Sequence, residues 1–169
     1  MNRFSIIIIV FFIFYSCNKK TIINNYDEIN YYKIDNKTAY KYDSIKRFNE
    51  IFMGVYGHKI DIDNFENELL KFGYKKNEVE KEKIIKIDSF ISNNIFYDSH
   101  LSACVPFYHD ILILKKKRKK IGILKVCFDC AMIDKYGEIK TSFKDSDIND
   151  EYFSNFNNLY FILNNKEYT

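Results

Sequence analysis

Three stretches of this chain repeat apolar residues every three or four positions. Ile45, Phe48, Ile51, Phe52, Val55 and Tyr56 fall on one helical face, with Asp43 or Ser44 as cap and Gly57 just past the end. Ile62, Phe65, Leu69 and Phe72 continue the spacing, and Gly73 stands where a left-handed C-cap belongs. Asn77 with Glu80 has the form of a capping box, opening a helix that carries Ile84, Ile87 and Ile91 and stops at Asn93-Asn94.

The period then changes from about 3.6 to 2. Phe107–Leu114 and Ile121–Phe128 are short apolar runs rich in β-branched residues, separated by six cations, and they predict an antiparallel hairpin over 107–128. In the second run, Ile121, Ile123, Lys125 and Cys127 oppose Gly122, Leu124, Val126 and Phe128. Both faces are mostly apolar, which suits a central strand. A further strand is expected near Ile139–Phe143, after a turn at Lys135-Tyr136-Gly137-Glu138. Ile148, Tyr152, Phe156, Leu159, Tyr160 and Leu163 form a closing helical stripe capped by Asp147. The fold class is therefore α+β: N-terminal helices, a small antiparallel sheet and a C-terminal helix.

The N-terminus follows a different pattern. Arg3 precedes an almost unbroken apolar run from Phe4 to Tyr15, and Phe14-Tyr15-Ser16-Cys17 closes it. The run has about a dozen residues, short of the ~20 that a helix needs to cross a bilayer. It resembles the signal peptide of bacterial lipoproteins, with small Ser16 before the cysteine and bulky Phe14 and Tyr15 where that family usually has Leu and a small residue. The resemblance implies cleavage before Cys17, lipid on its sulfur and new amino group, and a place in the cell envelope on the non-cytoplasmic side of a membrane. An uncleaved anchor and an ordinary secretory signal are the alternatives. The expected organisation is a signal peptide at 1–16, a lipid-anchored tether at 17–40 and one domain at 41–169. Within the tether, Tyr26–Ile34 has the makings of an added strand.

Composition bounds the function more than it names it. Removing residues 1–16 from 169 leaves 153, enough for one domain. Loss of Arg3 lowers the net charge from +3 to about +2, which gives no case for nucleic-acid binding. The 14 Tyr and 16 Phe accompany an excess of Ile, Lys and Asn that fits an AT-rich genome, so aromatic richness alone does not mark a stacking surface. The block Lys115-Lys116-Lys117-Arg118-Lys119-Lys120 is read first as a solvated hairpin tip, with contact to anionic lipid headgroups as its sharper alternative.

Beyond Cys17, the cysteines are Cys104, Cys127 and Cys130, the last two in a Cys-x-x-Cys. If the two runs pair about the cationic turn, positions summing to about 235 face each other, and Cys104 comes within reach of Cys130. Three chemistries compete. One is a structural disulfide, either Cys104 with Cys127 or Cys130, or Cys127 with Cys130, leaving one thiol over. The second is a redox pair, disfavoured because Cys127 ends a strand rather than opening a helix. The third is a Cys₃His zinc site using all three cysteines with His100 or His109. Cys104-Val105-Pro106, a strand and Cys127-Phe128-Asp129-Cys130 also resemble a group of small bacterial lipoproteins with Cys, Pro, a strand, a turn and Cys-Phe-x-Cys in that order. That resemblance implies only that the cluster is a unit.

His58, His100 and His109 offer no nucleophile–base motif, and Asp61, Asp63, Asp145, Asp147 and Asp150 suit helix entry better than a calcium loop. The expected function is a lipid-anchored envelope protein with a non-enzymatic binding or structural domain and no cofactor. The partner it implies is the membrane, through Cys17. The alternative is an exported thiol-redox or zinc-dependent protein using Cys104, Cys127 and Cys130.

Overall fold

The computed structural model of the chain describes residues 26–54, 60–93, 104–139 and 150–165. Its strands are β1 (Glu28–Lys33), β2 (Lys75–Glu78), β3 (Asp110–Lys116), β4 (Lys119–Cys127) and β5 (Met132–Gly137). Its helices are α1 (Asn36–Ala39), α2 (Lys46–Met53), α3 (Phe65–Lys71), α4 (Lys81–Asn93) and α5 (Asp150–Asn164). The strands form one antiparallel sheet in the order β2-β1-β3-β4-β5. The α+β class, the hairpin and the closing helix are all present.

Helices cover both faces of the sheet. On one side, Tyr32, Ile111, Ile113 and Ile123 pack against Ala39 of α1, Phe48, Ile51 and Phe52 of α2, and Phe65 and Leu69 of α3. On the other, Tyr31, Leu112, Leu114, Leu124 and Val126 meet Ile87, Phe90 and Ile91 of α4 and Tyr152, Phe156 and Leu159 of α5. Ile111 through Leu114 are all fully buried, each worth roughly 1.5–3 kcal/mol of transfer free energy. The double covering explains why β3 and β4 carry apolar residues at odd and even positions alike. Among the described residues no helix is long and apolar enough to cross a membrane.

Several boundaries differ from the periodicity. The folded body reaches back into the segment expected as a tether, where the added strand anticipated within Tyr26–Ile34 is present: β1 lies between β2 and β3, and α1 follows it with the Asp35 carboxylate accepting from Thr38 N–H. The pattern of β1 is obscured because Asn30 and Tyr32, though buried, both carry a polar group to one partner, Glu66. Helix α2 starts after Ile45, without a side-chain cap, and ends at Gly54 in the left-handed region (φ 67°), earlier than Gly57. Asn77 belongs to edge strand β2, opposite Tyr31, and the carbonyl of Glu80 opens α4 instead. The strand after the hairpin is Met132–Gly137, so the stretch expected as a turn is itself paired to β4. Residues 17–25, Val55–Gly57, Asn94, 140–143, Asp145, Asp147 and Ile148 lie outside the described residues.

Other expectations hold at the level of single bonds. Gly73 (φ 83°) ends α3 in a Schellman arrangement, with Tyr74 N–H donating to Leu69 O at 3.0 Å and Gly73 N–H to Leu70 O at 3.1 Å. Lys116 pairs with Lys119, leaving Lys117-Arg118 as a two-residue turn with φ 48° and 67°. That is the type I′ form whose twist suits a hairpin. A register shift between Leu114 and Lys115 leaves Ile121 as a bulged residue on β4, and its carbonyl accepts instead from Glu138 N–H at 2.8 Å.

Candidate functional site: a disulfide-pinned groove

Residues 104–109 lead into β3 without regular structure of their own, so side-chain and cross-chain bonds must hold them. Cys104 and Cys130 form a disulfide with their Cα atoms 5.9 Å apart, inside the usual range. Cys130 lies in the β4–β5 turn, so the bridge ties the entry of β3 to the far end of β4. Tyr108 N–H donates to Phe52 O at 2.7 Å, and Tyr108 O accepts from the buried Tyr74 hydroxyl at 2.9 Å. Tyr108 itself turns inward against Cys127 and Met132.

Alternation about Tyr108 sends Phe107 and His109 the other way, and there they complete a groove. Asn36, Ala39, Tyr40, Asp43, Phe48, Asn49, Phe52 and Met53 line it with them, and the groove, open to solvent, has a volume of about 210 Å³. Phe48 and Phe52 stack with ring centres 5.0 Å apart, and Phe107 and His109 lie 5.4 and 4.9 Å from Phe52. His109 Nε2 stands 2.6 Å from Asn36 Oδ1, which orients the imidazole as part of the rim. The interior is apolar and the rim polar, the distribution typical of small-ligand sites. A closed apolar cavity of about 150 Å³ holds a benzene, so the groove has the volume of a ring-sized group.

The cysteine cluster divides cleanly. The assumed register is close to that observed, where Asp110 faces Val126 and Lys116 faces Lys119. Cys127 is left as a buried free thiol. Burial pushes its pKa up, against backbone N–H groups of Cys130 and Phe107 that pull the other way. A thiol so placed is protonated and inaccessible, the opposite of a redox nucleophile. The zinc set also comes apart: two of its sulfurs are bonded to each other, and His109 faces the groove. Among the described residues, no three His, Cys, Asp or Glu side chains could hold a metal ion. His58 and His100 lie outside the described residues.

Two polar clusters had no counterpart in the sequence reading. Lys125, wholly buried in β4, places its ammonium 2.9 Å from Asp134 Oδ2, 3.3 Å from Ile51 O and 4.5 Å from the centre of the Tyr108 ring. Desolvation lowers its pKa, opposed by Asp134. A lysine inside a run of Ile, Leu, Val and Cys was the available signal. The second cluster is Glu66 on α3, which accepts from Asn30 at 2.8 Å and Tyr32 at 2.7 Å and pairs with Lys115 and Lys120 at 3.2 Å each. Two cations of the block expected to be solvated, Lys115 and Lys120, are thus engaged, and only about an eighth of the Lys115 side chain is exposed. Lys117, Arg118 and Lys119 remain exposed.

Comparison with known proteins gives no match to a family model, to a curated protein or to a solved structure. The chemistry of these residues is therefore the ground for a functional reading.

Proposed function

We propose that this chain is an exported lipoprotein, anchored through lipid on Cys17, whose folded domain is a binding module rather than an enzyme. The Cys104–Cys130 disulfide carries this reading, because such bridges persist in oxidising compartments and an export signal leads to one. The groove beside it supplies the binding surface: its apolar floor and polar rim suit a single aromatic or branched aliphatic group. The disulfide also weakens the redox and zinc alternative, since it removes two of the three thiols that alternative needs.

Lipid and thiol chemistry test the proposal together. Cells fed an alkyne-tagged fatty acid should label the wild-type protein and not Cys17→Ala. The mature protein, unfolded without reductant, should show one titratable thiol, Cys127, because Cys17 is alkylated and the other two are bridged. Two thiols with no lipid label would refute the anchor; three thiols with label retained would refute the disulfide.

A further inference from the structure

The chain enters the domain beside the cationic hairpin tip. Asp27 N–H donates to Lys115 O at 2.9 Å, and the Asp27 carboxylate accepts from Lys117 N–H at 3.1 and 3.2 Å. Residue 27 and the Lys117-Arg118 turn are therefore bonded neighbours. Cys17 stands ten residues upstream. At ~3.3–3.6 Å per fully extended residue, the tip can stand no more than about 35 Å from the anchoring sulfur.

Local charge at the tip is sorted by the fold. Glu28 and Glu66 are taken up by Lys115 and Lys120. Asp27 presents its oxygens to the turn backbone. Lys117, Arg118 and Lys119 project as three exposed cations at the sheet end where the chain enters the domain. Lys75, also exposed, pairs with Lys33 at the opposite end of β1.

From this juxtaposition, and resting on the lipid anchor proposed above, we infer that the Lys117-Arg118-Lys119 tip docks on anionic phospholipid headgroups. The domain then stands with its β3–β4 turn toward the membrane and the groove-lining Phe107 and His109 at the far end. The attraction acts over about one Debye length, ~10 Å, so the tip needs the tether to bring it close, and the lipid chains gain a second, electrostatic attachment.

The test uses mature lipoprotein reconstituted in vesicles of phosphatidylcholine alone or with one third phosphatidylglycerol. A water-soluble amine-acylating reagent is applied, and labelling at Lys117, Lys119 and Lys75 is read by mass spectrometry. In anionic vesicles the tip lysines should label at least about threefold more slowly, Lys75 should not change, and molar salt should erase the difference. In the variant K117N/R118G, which keeps the turn type, Lys119 should label equally in both vesicles. Equal labelling of the wild-type tip in both vesicles overturns the inference while leaving the anchor intact. A mature mass without the lipid increment refutes the anchor, and with it the means of bringing the tip to the surface.

Discussion

At the scale of single residues, the tip turn is where local preference and tertiary demand conflict. Type I′ geometry needs positive φ at both central positions, and Asn-Gly satisfies it at little steric cost. Here Lys117 and Arg118 occupy those positions. A left-handed conformation costs an ordinary side chain ~1–2 kcal/mol. The substitution K117N/R118G should therefore stabilise the fold by about 1–2 kcal/mol, read as a higher urea midpoint with unchanged slope. A lower midpoint would show that these side chains make contacts outweighing their strain. That natural cations stand where glycine would be more stable fits a surface role for them.

Between elements, the pair of buried Lys125 and partly exposed Asp134 joins three pieces. It crosses from β4 to β5, and the ammonium also meets a carbonyl in the last turn of α2, where the helix dipole favours a cation. Gly54 closes that helix beside it: a Cβ there would lie 3.0 Å from the Tyr108 ring and 3.5 Å from Lys125 Nζ. Replacing Asp134 with Asn strands a buried charge, and a loss of about 2–4 kcal/mol is expected in urea denaturation. Lys125→Met in the D134N background should recover most of that loss. Failure of the second substitution to rescue would show that the ammonium itself, through Ile51 O, carries the contact. The Cys104–Cys130 bridge acts at the same scale. It closes a loop over 26 residues of sequence, for which chain-entropy reasoning gives about 3–4 kcal/mol.

For the molecule as a whole, Glu66 links the hairpin, β1 and α3, and its ionisation couples acidity to stability. Burial alone would raise its pKa, but hydrogen bonds from Tyr32, Asn30, Lys115 and Lys120 hold it at about 2, below the ordinary 4.5. A carboxyl with a depressed folded pKa stabilises above its unfolded value, and that contribution is lost as pH falls through the folded one. The loss should fall between about pH 4.5 and 2 and amount to about 2 kcal/mol after discounting for solvent screening. Denaturation midpoints across that range should drop less steeply in Glu66→Gln than in the wild type; parallel curves would place the acid sensitivity elsewhere.

Much of this architecture was legible along the chain because it is local. Phe48-Ile51-Phe52 and Ile87-Ile91 mark helical faces by spacing alone, Gly73 marks an end by its conformational freedom, and the apolar runs around six cations mark a hairpin. The cysteine register followed from that hairpin, since strand pairing is arithmetic once the turn is placed. Less legible were features whose partners are distant. β2 is exposed at every position, and β1, anticipated as a strand within Tyr26–Ile34, does not show its place in the sheet, because Asn30 and Tyr32 bond a glutamate more than thirty residues away. Tertiary structure alone chose Cys104–Cys130 among the possible bridges, buried Lys125 against Asp134, and turned Phe107 and His109 toward one groove. Periodicity reports which residues leave water; only the assembled fold decides which groups they meet.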